Sequence, residues 1–384
     1  MISQVHIKNF KSIVDLTIDL GRVNLFIGEN GSGKSNILEA VAFASSGTRV
    51  DMLNSDLFAK GVRVSKPELY SSAFKEESAD IEFNFVIDGH SVLCQYNFDN
   101  HWYDLFPARF SQRYRIFLSE FGKYINADSP DFNLSNIIIK PETPQTIRTN
   151  ISEEAELLEN YNKYRLNSYL TNYMIYSPEN SSLRKFEEEG QVKPVGVKGE
   201  GLFSLLKSMA EDSGTFEKIK DQLEAIDWFE DFAIPSNLLS NEYKIIIRDR
   251  YIGDIEYFDQ RSANEGFLFL LFYIVLFSSK KTPQFFAIDN IEASFNPKLC
   301  SKLINILVEL SRKNNKQVLM TTHNPATLDG LDLNDPEQRL FVVRRNIDGH
   351  TIVTRISEKP KLTMPMKLSE MWTKGLLGGL PDNF

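Results

Sequence analysis

The feature that constrains this chain most is one glycine-rich turn, Phe26-Ile27-Gly28-Glu29-Asn30-Gly31-Ser32-Gly33-Lys34-Ser35-Asn36. It satisfies G-x-x-x-x-G-K-[ST], with Gly28, Gly33, Lys34 and Ser35 at the fixed positions. Its flanks matter more than the pattern. The apolar run at residues 23–27 reads as a buried strand, and residues 36–43 read as the first turns of a helix. A strand, a glycine turn and a helix start together aim backbone N–H groups and a helix dipole at one point. The amides of Asn30, Gly31, Ser32, Gly33, Lys34, Ser35 and Asn36 would cradle phosphates, and Lys34 would reach the β- and γ-phosphates. The Ser35 hydroxyl would ligate Mg²⁺. The expected ligand is a nucleoside triphosphate.

Around this turn the chain alternates in ways that predict strands. Residues 2–20 form two apolar-polar runs at the edge of a sheet, turning at Asn9-Phe10-Lys11-Ser12. Residues 44–72 read as loops and short elements. Residues 81–87 and 91–98, joined at Asp88-Gly89, read as an antiparallel hairpin. Residues 101–124 interleave Trp102, Tyr114 and several phenylalanines with Arg109, Arg113 and Arg115. Such a stretch can stack nucleic acid, but Phe106, Phe110, Phe117 and Phe121 recur at helical spacing, which favours core or partner packing. Residues 126–150 read as a proline-containing loop, 151–176 as a polar-faced helix, 219–232 as a helix and 243–247 as a strand. The glycines at 196, 199 and 201 fit either a backbone turn near a ligand or second subunit, or a plain loop leading into the helix at 202–209.

Composition decides a few classes. The 384 residues are 42% hydrophobic and 25% charged, enough for a sizeable core without staples. A net charge of −9 argues against a generally basic surface, although a local nucleic-acid patch is compatible with it. Cys94 and Cys300 lie far apart, and the five histidines lack ligand spacing, so a reduced, cytoplasmic protein without structural zinc is expected. The longest apolar stretch, residues 266–277, is too short to span a bilayer.

Two later motifs extend the phosphate turn. Gln284-Phe285-Phe286-Ala287-Ile288-Asp289 is an apolar strand ending in a carboxylate, and Asp289 is placed to share Mg²⁺ with Ser35. Val318-Leu319-Met320-Thr321-Thr322-His323 is a second buried strand, ending in a histidine that can sense or polarise the γ-phosphate.

Taken in order, these motifs resemble the RecF/SMC-like ABC ATPases, which include stand-alone AAA-type ATPases of bacterial defence and toxin–antitoxin loci. The resemblance rests on Ile7-Lys8-Asn9-Phe10-Lys11-Ser12, residues 28–40, Asp289-Asn290-Ile291-Glu292, Phe295-Asn296-Pro297 and Thr322-His323-Asn324-Pro325. Ser262-Ala263-Asn264-Glu265-Gly266 is similar to the ABC signature. The resemblance implies an α/β fold: a P-loop ABC-type ATPase head with a mixed sheet, an antiparallel β subdomain and a largely helical insertion. Residues 1–50 and 241–384 would form the core, and residues 51–240 the subdomain and insertion.

It also implies ATP and Mg²⁺ as ligands and a homodimer, or higher homo-oligomer, built head to head. Asn264 and Gly266 of one copy would then meet the γ-phosphate held by Lys34 of the other. Two departures stand out. Asn290 occupies the place of the family's water-activating glutamate, and an amide cannot act as a carboxylate base. Either Glu292 substitutes, with Lys34, Asp289 and His323 as the other catalytic groups, or the protein is a slow, ATP-gated switch. In addition, Asn264 rather than serine holds the position expected to face the γ-phosphate. About sixty residues follow His323, fewer than an ordinary domain, so a nuclease or toxin effector is expected on a separate chain. DNA remains a candidate partner. A small-molecule kinase is disfavoured by the signature-like segment and His323.

Overall fold

The computed structural model describes residues 1–46, 54–63, 69–74, 80–87, 89–96, 102–103, 169–186, 194–236, 238–239, 242–253, 257–358 and 366–380. Most of the aromatic-basic stretch at 101–124, all of 126–150 and most of 151–176 lie outside these residues, as do residues 187–190. Among the described residues no helix is long and apolar enough to cross a membrane.

The strands are β1 (Ile2–Phe10), β2 (Ile13–Asp19), β3 (Val23–Ile27), β4 (Ile81–Ile87), β5 (His90–Tyr96), β6 (Trp102–Tyr103), β7 (Ile175–Tyr176), β8 (Phe229–Ala233), β9 (Ile246–Asp249), β10 (Phe258–Asp259), β11 (Phe285–Ile288), β12 (Gln317–Thr321), β13 (Gln338–Arg345) and β14 (Thr351–Ile356). They form three sheets. The central one runs β14-β13-β3-β12-β11-β7. Five of its strands are parallel, and β14 closes one edge antiparallel to β13. The sheet is therefore mixed. The second sheet, β2-β1-β4-β5-β6, is wholly antiparallel. A third, β10-β9-β8, lies in the second half of the chain.

The helices are α1 (Lys34–Ser46), α2 (Asn54–Ala59), α3 (Asn180–Arg184), α4 (Leu202–Ala210), α5 (Ser213–Leu223), α6 (Glu265–Ser278), α7 (Pro297–Lys313) and α8 (Leu368–Thr373). Two of them are buried on nearly every side, the pattern of helices sandwiched between layers. Helix α1 is buried from Ile37 to Ser46 between the central and antiparallel sheets. There Phe43 meets Phe10 at 5.4 Å and Tyr96 at 5.1 Å between ring centroids. Helix α6 is buried from Gly266 to Phe277 on the opposite side of the central sheet, in a core shared with α4, α5, α7, β11 and β12. Both cysteines are buried thiols.

Lys316 fastens the end of α6 to the start of β11. Its buried ammonium donates to the carbonyls of Ser279 (2.8 Å), Thr282 (2.9 Å) and Pro283 (3.1 Å) and to Thr282 Oγ1 (2.9 Å). Burial lowers its pKa to about 8. Lys316→Met is expected to cost about 2 kcal/mol, because buried carbonyls lose their donor. A lower urea midpoint with an unchanged slope would register that cost, and an unshifted midpoint would refute it.

Several local expectations change. The stretch at 151–176 does not end as a helix: Ile175 and Tyr176 form β7, because pairing with Ala287 and Ile288 of β11 outweighs helical propensity. The helix expected over 219–232 stops at Leu223, and Phe229–Ala233 pairs with β9 instead. The strand expected at 243–247 begins only at Ile246. In the antiparallel sheet β2-β1-β4-β5-β6, β2 is the edge, whereas β1 is interior because β4 pairs on its other side. The loop with Gly199 and Gly201 is a helix lead-in: Gly201, at φ +84°, precedes α4, and Gly199 packs against Leu183. Residues assigned to the insertion thus contribute strands to both large sheets.

Candidate functional site

The site is built at the carboxyl ends of β3, β11 and β12, which lie side by side in the parallel part of the central sheet. After Ile27 the chain turns through Gly28 at φ +148°, Gly31 at +80° and Gly33 at +109°. Two of these glycines have no substitute. A Cβ on Gly28 would stand 2.1 Å from the Val343 carbonyl oxygen, and one on Gly33 would stand 2.1 Å from Thr351 Oγ1. The turn is held from outside by β13 and β14. Thr351 Oγ1 donates to the Ser32 carbonyl at 3.0 Å, and Arg345 Nε donates to the Gly31 carbonyl at 3.0 Å. Asn30 and Gly31 are exposed at the tip, while Ser32 is buried with its hydroxyl unpartnered.

Lys34, 6% exposed, curls back over the turn and donates to the Gly28 carbonyl (2.8 Å) and the Glu29 carbonyl (2.9 Å). Burial lowers its pKa to about 8, opposed by the nearby carboxylates of Asp289, Glu292 and Glu29. Ser35 Oγ donates to Asp289 Oδ2 at 3.2 Å, so the two expected metal ligands already face each other. Thr321 Oγ1 donates to Asp289 Oδ1 and accepts the Asn290 N–H at 2.9 Å. That clamp holds Asn290 at φ +58°, a conformation asparagine tolerates far better than most residues.

Glu292 Oε1 accepts the backbone N–H of His323 at 2.8 Å, and Oε2 is buried without a partner. The His323 ring is exposed at the mouth of the site. What burial it has, together with Lys34, pushes its pKa below the ordinary histidine value against the pull of Glu292 and Asp289. Lys34, Ser35, Asp289, Glu292 and His323 therefore converge within a single chain.

The donor set fits a triphosphate with a hard cation. The turn offers backbone N–H groups, a lysine and an unpartnered serine hydroxyl to phosphate oxygens, and Ser35 and Asp289 offer two oxygen ligands. No cluster of three or more His, Cys, Asp or Glu with metal-binding geometry occurs among the described residues. The two oxygen ligands would suit Mg²⁺, which keeps waters and substrate phosphates in its shell.

Asn264 and Gly266 lie elsewhere. Asn264 is the N-cap of α6, and its Oδ1 accepts the Gly266 N–H at 2.8 Å. The backbone donor expected to receive an anion at Gly266 is thus satisfied within the chain, leaving the exposed Asn264 amide as the outward-facing group. The segment packs on the loop after β11: the Ser294 hydroxyl bonds the Glu265 carboxylate, and Ser294 and Phe295 border Gly266. An open cavity of about 380 Å³ there is lined by Trp228, Asn264, Gly266, Asn296, Lys298 and Lys302, among others. Among the described residues, neither Asn264 nor Gly266 hydrogen-bonds to the phosphate turn.

Sequence reasoning gave no site role to three charged neighbours. Glu39, 2% exposed on α1, receives Lys11 Nζ at 2.5 Å and Arg63 Nε at 2.6 Å. Burial opposes its ionisation, but Arg63 and Lys11 prevail and hold the carboxyl below its ordinary range. Arg63 also reaches Asn36 Oδ1 at 3.3 Å. Lys11 sits in the Asn9-to-Ser12 turn and was visible as part of a motif. Arg63 carries no local signal.

A family model described as AAA domain, putative AbiEii toxin, Type IV TA system matches residues 23–329, from β3 through the turn after His323. The DNA double-strand break repair Rad50 ATPase of Thermoplasma volcanium is 38% identical over 72 residues, 18% of this chain. That match spans only 8% of the relative's own length. Among solved structures, the SMC head bound to the C-terminal winged-helix domain of ScpA superposes with a TM-score of 0.53 at 17% identity, covering 93% of this chain and 98% of that one. The SMC head with a coiled coil and joint from Pyrococcus yayanosii gives 0.50 at 14% identity, covering 98% and 99%. The fold is that of an SMC-type head, a P-loop α/β architecture with mixed and antiparallel sheets. With the family model covering well over half of its length, the chain belongs to the AAA-domain family described as putative AbiEii toxin, Type IV TA system.

Proposed function

We propose that the chain is an ATP-hydrolysing head that closes on a second copy around bound nucleotide. The observation that carries this reading is the convergence of Lys34, Ser35, Asp289, Glu292 and His323 at the carboxyl ends of three adjacent strands. In this reading the amides from Asn30 to Asn36 and the Lys34 ammonium hold the phosphates, exchanging the Gly28 and Glu29 carbonyls for phosphate oxygens. Ser35 and Asp289 hold Mg²⁺, which when bound neutralises charge on the β- and γ-phosphates. Glu292 accepts a proton from the attacking water as its oxygen bonds to the γ-phosphorus and the bond to ADP breaks. His323, held by its backbone N–H to that same carboxylate, faces the γ-phosphate and reports its loss.

Asn264 of the second copy would complete the site through its side-chain amide. The nucleotide would then join the heads, and hydrolysis would part them. In this reading a separate chain carries a toxin or nuclease activity, with DNA as a further partner and defence as the setting; the family's description supports a toxin–antitoxin context. The division of the chain at residues 50 and 240 belongs to the same proposal.

Asn290 favours a second reading, an ATP-sensing scaffold that controls an effector with little turnover, because no carboxylate follows Asp289 directly. One experiment separates the two. Purified protein with Mg²⁺ and ATP is assayed for phosphate release, and its mass is followed by light scattering with and without nucleotide. The leading reading expects steady release and an ATP-dependent dimer. A dimer without release supports the scaffold, and an unchanged mass without release overturns both.

A further inference from the structure

The segment that begins with α8 touches the phosphate turn, and the proposed reaction leaves it without a task. Helix α8 ends in a left-handed turn at Gly375, φ +73°. There the Leu376 N–H donates to the Met371 carbonyl at 2.9 Å and the Gly375 N–H to the Trp372 carbonyl at 2.8 Å, the paired bonds of a Schellman stop. A further turn closes with the Gly378 N–H on the Gly375 carbonyl at 3.1 Å. Leu368, Met371, Trp372 and Leu377 anchor the segment in the core that α6 and α7 share. Ser369 anchors it again, donating its N–H to Asp329 Oδ1 at 3.0 Å and its hydroxyl to Asp329 Oδ2 at 2.7 Å. Asp329 belongs to the short helical turn that follows His323.

Gly378 and Gly379 share one backbone conformation, φ +75°, but not one environment. A Cβ on Gly378 would meet nothing within 4 Å. One on Gly379 would stand 2.6 Å from Val342 Cγ1, 3.4 Å from Gly28 Cα and 3.8 Å from the Val343 carbonyl oxygen. That carbonyl is the one that forbids a side chain on Gly28. Two glycines distant in sequence therefore close on the same carbonyl, and the first of them opens the phosphate turn. Contacts this close leave no slack, so a methyl group at 379 must displace Val342 or lift the segment off Gly28.

We propose that Gly379 is a positioning residue for the phosphate turn: its backbone packs against Gly28 and Val343 and holds the turn in the shape that receives phosphate oxygens. The inference rests on the reading of residues 28–36 as the triphosphate site. Through Ser369 and Asp329 the same segment also holds the turn after His323, so one brace reaches both loops that flank the γ-phosphate. By linkage, nucleotide held in the turn steadies the brace as much as the brace favours the nucleotide.

The test compares Gly379→Ala with Gly378→Ala, which adds the same methyl to the same left-handed backbone where it meets nothing. A third variant adds Val342→Ala to Gly379→Ala and so removes the Cγ1 that the new methyl strikes. Dissociation constants for a fluorescent ATP analogue and unfolding midpoints are measured on each. Gly379→Ala is expected to weaken binding roughly ten- to a hundredfold, the scale of a displacement of about an ångström at a positioning group. Gly378→Ala should bind as the wild type does, and Val342→Ala should restore most of the loss. Equal dissociation constants in the two single variants, or a loss that Val342→Ala does not relieve, would overturn the proposal. Hydrogen exchange on the wild type serves even where Gly379→Ala does not fold. The ATP analogue should slow exchange at residues 375–380 together with residues 28–36. Slowing at 28–36 alone would overturn the proposal and leave the triphosphate site standing. A wild type that neither binds the analogue nor slows at 28–36 would overturn the reading of the turn, and the proposal with it.

Discussion

Lys34→Ala is expected to weaken ATP binding by at least about 100-fold and to abolish turnover, the scale of losing a buried charged donor from a phosphate site. The reason is geometric as well as electrostatic. Lys34 is the one ammonium placed over the phosphate turn among the described residues, 2.8 and 2.9 Å from the carbonyls that form its rim. Arg63 is nearby, but its guanidinium is committed to Glu39. The substitution also leaves Asp289, Glu292 and Glu29 without the counter-charge that Lys34 gives each of them, which disfavours an incoming polyanion further. Equilibrium binding of a fluorescent ATP analogue measures the loss. A dissociation constant within threefold of wild type would refute the assignment, provided the unfolding midpoint shows the variant folded.

Glu292→Gln is expected to behave in the opposite way towards binding. It keeps a hydrogen-bond acceptor for the His323 N–H and removes the only proton acceptor the proposed reaction uses. Phosphate release should fall by about 10²- to 10⁴-fold, the contribution of a positioned general base, while nucleotide affinity holds or rises. Under the leading reading the ATP-joined dimer should then accumulate, because hydrolysis no longer parts it. Kinetics and light scattering on one sample read both effects. Undiminished release would remove Glu292 from the chemistry and leave the scaffold reading, with Asn290 as its physical basis.

Much of the architecture was legible because its signals are local. Strand β3, the phosphate turn and α1 sit within one stretch, and alternation in residues 2–20 and 81–98 marked the paired strands. The apolar runs before Asp289 and His323 marked β11 and β12. What escaped was decided at a distance. Ile175 and Tyr176 are too short a segment to announce a strand and become one only because β11 offers a free edge. Phe229–Ala233 looks helical in isolation but pairs with Arg248 and its neighbours. The backbone N–H of Gly266, expected to receive an anion, is instead capped by a side chain two residues earlier.

By itself, then, the sequence determined that a strand, a glycine turn and a helix would meet at Lys34 and that two further strands would end in Asp289 and His323. Periodicity and turn chemistry depend on near neighbours, which a sequence displays directly. Only the tertiary structure decided which buried groups face one another. It pairs Arg63 with Glu39 across 24 residues and locks the turn with Thr351 across 319. Those partnerships follow from the packing around α1 and α6, where a buried polar atom must find whichever partner the packing brings near.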